Sequence, residues 1–298
     1  MRIRLLIVAV LLAAPAVPYA QSTDLDAFMA QVLARRDENW KRLQQYTLDE
    51  NETFRITGPD ARRVYGFARE YTWFPRDGIF VRSPVTADGV TVDEGDRRKA
   101  EDKWVRREQA REKRRDERRA ERGQDTAGAT NLSALEPQFV SSAYFLRFKF
   151  DPGHYALVGR ETLLGRDVLR IEYYPTKLFQ EGRSRPNKRV RDEDEKVEEK
   201  MNKVAYVTLW VEPTEHQILQ YDFRNIDLDF MPGRSMVRID DLRAAMKMTQ
   251  AFPGVWLPDT IQIGFAMTLA TGPVGAQYDV RYHDYKLAEV KTKVGGVR

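Results

Sequence analysis

The sequence predicts an α+β fold, mainly β, in which one antiparallel sheet follows an amphipathic helix. Three observations carry this. Between Asp24 and Leu43 the apolar residues Leu25, Phe28, Val32, Leu33, Trp40 and Leu43 recur three and four positions apart, one stripe of a helix. From Tyr46 onward the period drops to two, the mark of half-buried strands. No helix-length segment alternates with the strands of the second half, and short links join several of them, so neighbours should pair antiparallel as a meander.

Thr23 or Asp24 can cap the helix. Tyr46–Ile56 alternates and is stopped by Thr57-Gly58-Pro59-Asp60, a turn signal. Arg62–Phe74 is a second strand, rich in aromatics (Tyr65, Phe67, Tyr71, Trp73), closed by Pro75-Arg76-Asp77-Gly78. Gly78–Val85 is a third, ended by Ala87-Asp88-Gly89. Residues 97–122 are nearly all charged, with Glu/Lys/Arg at helical spacing, and predict a solvated helix whose apolar face amounts to Trp104 and Val105. Residues 135–150 are apolar and aromatic and fit either a buried helix or the approach to a strand. Seven strands follow: 155–163, 167–174, 204–211, 217–223, 235–249, 255–269 and 276–286. Leu164-Gly165-Arg166 and Glu212-Pro213-Thr214-Glu215-His216 are hairpin links. A second charged segment, 183–200, interrupts one hairpin as a solvated helix or loop.

The first twenty residues have the layout of a secretory leader: Arg2 and Arg4, an apolar run Leu5–Ala14, then small residues around Ala14–Ala20. The expected organisation is therefore a signal peptide over 1–20 and a single domain over 21–298, with charged insertions at 97–122 and 183–200. Export makes the expected location the periplasm. The chain has no cysteine, so no disulfide is available. A lipidated cysteine is absent too, which gives the expectation of a soluble, unanchored protein.

Charge is unevenly spread. Residues 97–122 hold 13 Lys/Arg against 7 Asp/Glu, while the whole chain carries only +4. The remainder is acidic, so the basic character belongs to one segment, and nucleic-acid binding by the domain is not expected. The segment suits peripheral contact with an anionic membrane surface or an acidic partner.

Alternation assigns faces. Ile261, Ile263, Phe265 and Met267 share one side of their strand, Leu242, Ala244, Met246 and Met248 one side of the strand before, and Tyr278, Val280 and Tyr282 one side of the strand after. Together they predict a broad greasy face opposite a wet one, and these eleven residues are the candidate lipid-binding set. Methionines add adaptability to variable ligands.

Motifs of catalysis are missing. The three histidines, His154, His216 and His283, have no short metal-ligand spacing, and there is no G-x-S-x-G, P-loop or G-x-G-x-x-G. His216 is expected exposed in a turn and His283 on a polar strand face. No catalytic residue, metal ligand or cofactor is expected.

The later strands resemble the LolA-like family of periplasmic lipoprotein carriers and outer-membrane lipoprotein-sorting proteins. The resemblance rests on Gly165-Arg166-Asp167-Val168-Leu169-Arg170-Ile171 with Pro175, Val207-Thr208-Leu209-Trp210-Val211-Glu212-Pro213, Ile218-Leu219-Gln220-Tyr221-Asp222, Val255-Trp256-Leu257-Pro258 and Tyr282-His283-Asp284-Tyr285, about residues 155–286. It implies a strongly curved, unclosed sheet, a half-barrel, with helices as a lid over a hydrophobic cavity that holds acyl chains. The charged insertions and the greater length depart from the basic carrier pattern. The reading is a non-catalytic, monomeric carrier or binder of lipid or lipoprotein acyl chains in envelope lipid traffic. Two alternatives stand beside it. One is a sensor module on the same fold that captures an envelope protein partner; the other is a secreted hydrolase.

Overall fold

The computed structural model describes residues 20–60, 62–76, 78–122, 148–175, 204–225, 237–269 and 272–288. The leader apart from Ala20, residues 135–147 and the 183–200 segment lie outside the described residues. Two helices and eleven strands are described: α1 (Ala20–Leu43), β1 (Tyr46–Thr57), β2 (Arg63–Arg76), β3 (Ile79–Ala87), β4 (Val90–Thr91), α2 (Glu94–Arg122), β5 (Tyr155–Leu163), β6 (Arg166–Tyr173), β7 (Ala205–Glu212), β8 (Gln217–Asn225), β9 (Val237–Phe252), β10 (Val255–Leu269) and β11 (Gly272–Leu287). The strands form one sheet in the order β4-β3-β2-β1-β11-β10-β9-β8-β7-β6-β5, antiparallel throughout. The two ends of that order do not pair, so the sheet is an open half-barrel. Two meanders, β1–β4 and β5–β11, are thus joined along the single seam β1–β11, where Phe54 faces Tyr278 and Glu50 faces Tyr282.

Several boundaries differ from the sequence reading. α1 begins at Ala20, so Thr23 and Asp24 lie inside its first turns and do not cap it. β2 runs through Pro75, which pairs with Phe80, because the tight turn is made by the residues after Arg76, with Gly78 at φ 77. Such a turn needs the left-handed region that glycine enters without cost. Asp88-Gly89 and Leu164-Gly165 close other hairpins with both residues at positive φ. β4 is a two-residue strand that the sequence did not announce.

The larger correction concerns α2. Its first half is not a solvated arm, because it is docked on β3. Val105 and Glu101 are buried, and Val81 of β3 is wholly buried. The Trp104 indole donates to the Phe80 carbonyl at 3.1 Å and meets Trp73 edge-on at 5.5 Å. Ser83 donates to Glu101, which Arg76 and Arg97 also approach. Glu101, Trp104 and Val105, placed at helical spacing, suffice to anchor a helix that is otherwise charged. Farther along, Lys113 and Glu117 are exposed.

Candidate functional site

Paired residues of an antiparallel sheet share a face, so the register defines the inner surface directly. Met246 of β9 stands beside Ile261 of β10, which stands beside Val280 of β11; Ala244, Ile263 and Tyr278 form the next row. Beyond β9 the surface continues through Tyr221 and Phe223 of β8, Leu209 and Val207 of β7, and Ile171 and Tyr173 of β6. Of the eleven residues singled out in the sequence, Leu242, Ala244, Met246, Met248, Ile261, Ile263, Tyr278, Val280 and Tyr282 are buried on this face, while Phe265 and Met267 are half-buried toward one end. The opposite side carries Gln262, Arg243, Lys247, Asp279 and Arg281.

α1 lies on this face with main contacts to β5, β8 and β10. Met29, Val32 and Leu43 are buried in the same cluster as Met246, Leu257 and Ile261, with Leu25, Phe28, Leu33 and Trp40 at its margin. The helix is also fastened by polar bonds around its perimeter. Arg35 and Arg42 both donate to the Gly254 carbonyl in the β9–β10 turn, at 3.0 and 3.2 Å. Arg36 donates to the Phe148 carbonyl at 2.6 Å, and Asp26 accepts from the Gly153 N–H at 2.9 Å. In the interface itself, Asn39 Nδ2 donates to Gln217 Oε1 at 2.7 Å, and both residues are buried. His216, expected exposed, is half-buried with its ring 5.1 Å from Phe28, because φ 53 at His216 tucks the turn against α1.

The other half of the inner face differs in kind. Leu48, Glu50, Glu52 and Phe54 of β1 all point inward, and Glu50 and Glu52 are 2% and 0% exposed. Arg82 reaches them from β3: its Nη2 pairs with Glu50 and lies 3.1 Å from Glu52 Oε2. The Trp73 indole donates to Glu50, the Tyr278 hydroxyl donates to Glu52 Oε1 at 2.6 Å, and the Arg82 guanidinium sits 3.5 Å from the centre of the Tyr71 ring. Burial raises the Glu50 carboxyl above its ordinary range, against the pull of Arg82, and the neighbouring Glu52 adds to the rise. Burial opposes the Arg82 charge, but the two carboxylates more than offset it, so Arg82 stays cationic. Burial and then Glu52 raise the Tyr278 phenol, which stays protonated. Two carboxylates thus converge on one guanidinium, and Arg82 pairs with both. The sequence reading missed this cluster, although Leu48-x-Glu50-x-Glu52-x-Phe54 places both acids on an apolar-flanked side.

One further constellation crosses the same seam on the wet face. A bulge in the β1–β11 pairing, with Asp284 at φ 53, brings Asp49, His283 and Asp284 together so that one ligand atom from each lies within 4.8 Å. His283 Nδ1 is engaged with Asp284 Oδ2 at 2.7 Å, and Thr72 donates to Asp49. Sequence spacing alone hid this trio because its members are on different strands.

No protein-family model matches this sequence, and no curated protein matches it. Among solved structures, the chain is similar to an outer membrane lipoprotein-sorting protein domain from Vibrio parahaemolyticus, at 10% identity and a TM-score of 0.34 over 88% of this chain and 94% of that one. It is also similar to a DUF1329 family protein from Desulfovibrio piger, at 10% identity and a TM-score of 0.32 over 91% and 95%. A third is a structure of lipid–protein interactions in lipovitellin, at 7% identity and a TM-score of 0.31 over 84% of this chain and 26% of that one. The first of these carries the family description that the sequence resemblance pointed to. Likeness at these TM-scores carries no argument for what the inner face holds, which rests on its own geometry.

Proposed function

We propose that the chain is a periplasmic, non-catalytic carrier of lipid or lipoprotein acyl chains, with the inner face under α1 as its binding surface. The observation that supports this is a single continuous apolar surface, from Ile171 across Leu209, Tyr221, Met246 and Ile261 to Val280, covered by α1 and, at its β6–β8 end, by Phe148 and Phe150. Each methylene of an acyl chain laid on it contributes about 0.8 kcal/mol, so a chain of ordinary length competes with α1 for the same ground.

The perimeter bonds favour exchange. Arg35, Arg42 and Arg36 donate to backbone carbonyls at the edge, and water replaces such bonds at small net cost. Among the described residues no helix is long and apolar enough to cross a membrane. The leader-like residues 1–20 and the single-domain organisation over 21–298 belong to the same proposal.

The test is native mass spectrometry with lipid extraction on the chain exported to, and purified from, the periplasm. A co-purifying phospholipid or acylated peptide is expected, and Met246→Glu on the floor should abolish it. A clean apo mass with no uptake of added lipid overturns the reading.

A further inference from the structure

The Glu50–Glu52–Arg82 cluster lies on the same face as the apolar floor, one strand beyond Tyr278 and Val280. An interior that only needed filling would be served better by apolar side chains of similar volume, since a buried ion pair seldom repays its desolvation. Two atoms of this cluster are also left without hydrogen-bond partners, Glu52 Oε2 and Arg82 Nε. One is an acceptor on an anion, the other a donor on a cation, and both belong to side chains at least nine-tenths buried (0% and 10% exposed). Glu52 Oε2 makes an ion pair with Arg82 Nη2 at 3.1 Å but no hydrogen bond, so the two atoms lie on adjoining groups.

The complement of such a pair is a ligand group that donates with positive charge on one side and accepts with negative charge on the other. Resting on the acyl-chain reading above, we propose that this cluster is a headgroup subsite for a lipid bearing a primary ammonium and a neighbouring phosphate. The ammonium meets Glu52 Oε2 and a phosphate oxygen meets Arg82 Nε. Glu52 and Arg82 form an ion pair, and a zwitterion matches it without adding net charge. A purely anionic headgroup would place unmatched charge beside Glu52. The Arg82 guanidinium itself lies over the Tyr71 ring at 3.5 Å and 5.9 Å from the Trp73 ring. Arg69, the cross-strand neighbour of Glu52, is half-exposed and lies 3.9 Å over the Phe67 ring.

Uptake by the full-length mature chain is measured by isothermal titration calorimetry below micelle concentrations, with four probes of one chain length. These are 1-lauroyl lysophosphatidylethanolamine, the corresponding lysophosphatidylcholine, the corresponding lysophosphatidylglycerol, and 1-lauroylglycerol. The primary amine should bind at least about tenfold more tightly than the choline and glycerol headgroups, because a quaternary ammonium cannot donate to Glu52. Glu52→Gln should erase that preference, so that the amine and choline headgroups bind alike. Tyr278→Phe, which frees a Glu52 oxygen without altering charge, gives a second reading and should keep the preference. Equal binding of all four probes, or a preference that survives Glu52→Gln, overturns the headgroup assignment while the chain site stands. Uptake of none of them overturns the acyl-chain reading and this one with it.

Discussion

The inner face is one surface with two chemistries. Under α1, from β6 to β11, its floor is held mainly by burial: Met29, Val32, Met246, Leu257 and Ile261 are all fully buried and carry no polar side-chain group to bond. Across the seam, on β1–β3, it is held by geometry: Glu50, Glu52, Arg82, Trp73 and Tyr278 each depend on a partner in a fixed place. The first half is forgiving, since apolar contacts repack. The second is unforgiving, since each charge removed leaves another stranded. A face that must accept chains of varying shape needs the first property, and one that must distinguish a polar group needs the second.

Removing a single member of the charged half should cost most. Arg82→Met leaves Glu50 and Glu52 without their cation and should destabilise the fold by about 4 kcal/mol, read from urea denaturation. A loss below about 1 kcal/mol would mean the carboxylates reach water. Replacing Glu50, Glu52 and Arg82 by leucine, leucine and methionine, with Trp73→Phe and Tyr278→Phe to remove the donors that served the two acids, should cost far less than the single change.

In the apolar half, Ile261→Ala should cost about 3 kcal/mol through lost burial and a cavity. That value should not vary between pH 4 and 8, because only titrating groups respond over that range. Asn39→Ala strands the buried Gln217 amide and should cost about 1–2 kcal/mol. It should also raise the rate of lipid uptake, because the helix it fastens opens more often.

The pH response separates the halves. Glu50 has a raised pKa in the folded state, so the folded chain binds its proton more tightly than the unfolded chain does. Stability from this group is full below the ordinary carboxylate pKa and falls as pH rises from there to the raised value. One such group cannot exceed a slope of about 1.4 kcal/mol per pH unit. Glu50→Gln should flatten that slope in a denaturation series, while Met246→Ala leaves it intact. The smallest effect belongs to the wet face: Arg170→Ala breaks an exposed pair with Glu161 and one with the largely buried Glu172, which keeps the Tyr174 hydroxyl, and should barely move the denaturation midpoint.

The strands were legible where local chemistry decides them. β10 was bounded at Val255 and Leu269 from its alternation and the Pro253-Gly254 turn alone, and β5 from Tyr155 to Leu163 in the same way. The greasy set on β9–β11 followed from the same period of two. What was not legible depends on who sits beside whom. Glu50 and Glu52 read as ordinary strand acids until the register brings Arg82 across β2 to them, 32 and 30 positions along the chain. The seam of β1 with β11 joins residues more than two hundred apart, and no local pattern announces it. α2 was taken as a solvated arm because charge dominates its composition, yet Glu101, Trp104 and Val105 were enough to seat it.

The β1–β11 seam also sets an order of events. The first strand to be synthesised finds its inner partner in the last, so the sixteen residues of β11 complete both meanders at once. A ribosome or a translocation pore releases the chain from its amino end, and until those final residues emerge β1 and β10 each present a raw edge. The domain therefore stays unfinished, and open to threading, for nearly the whole of its delivery. A chain truncated before Gly272 would be left as two ribbons with their hydrogen-bonding edges free to recruit each other's copies.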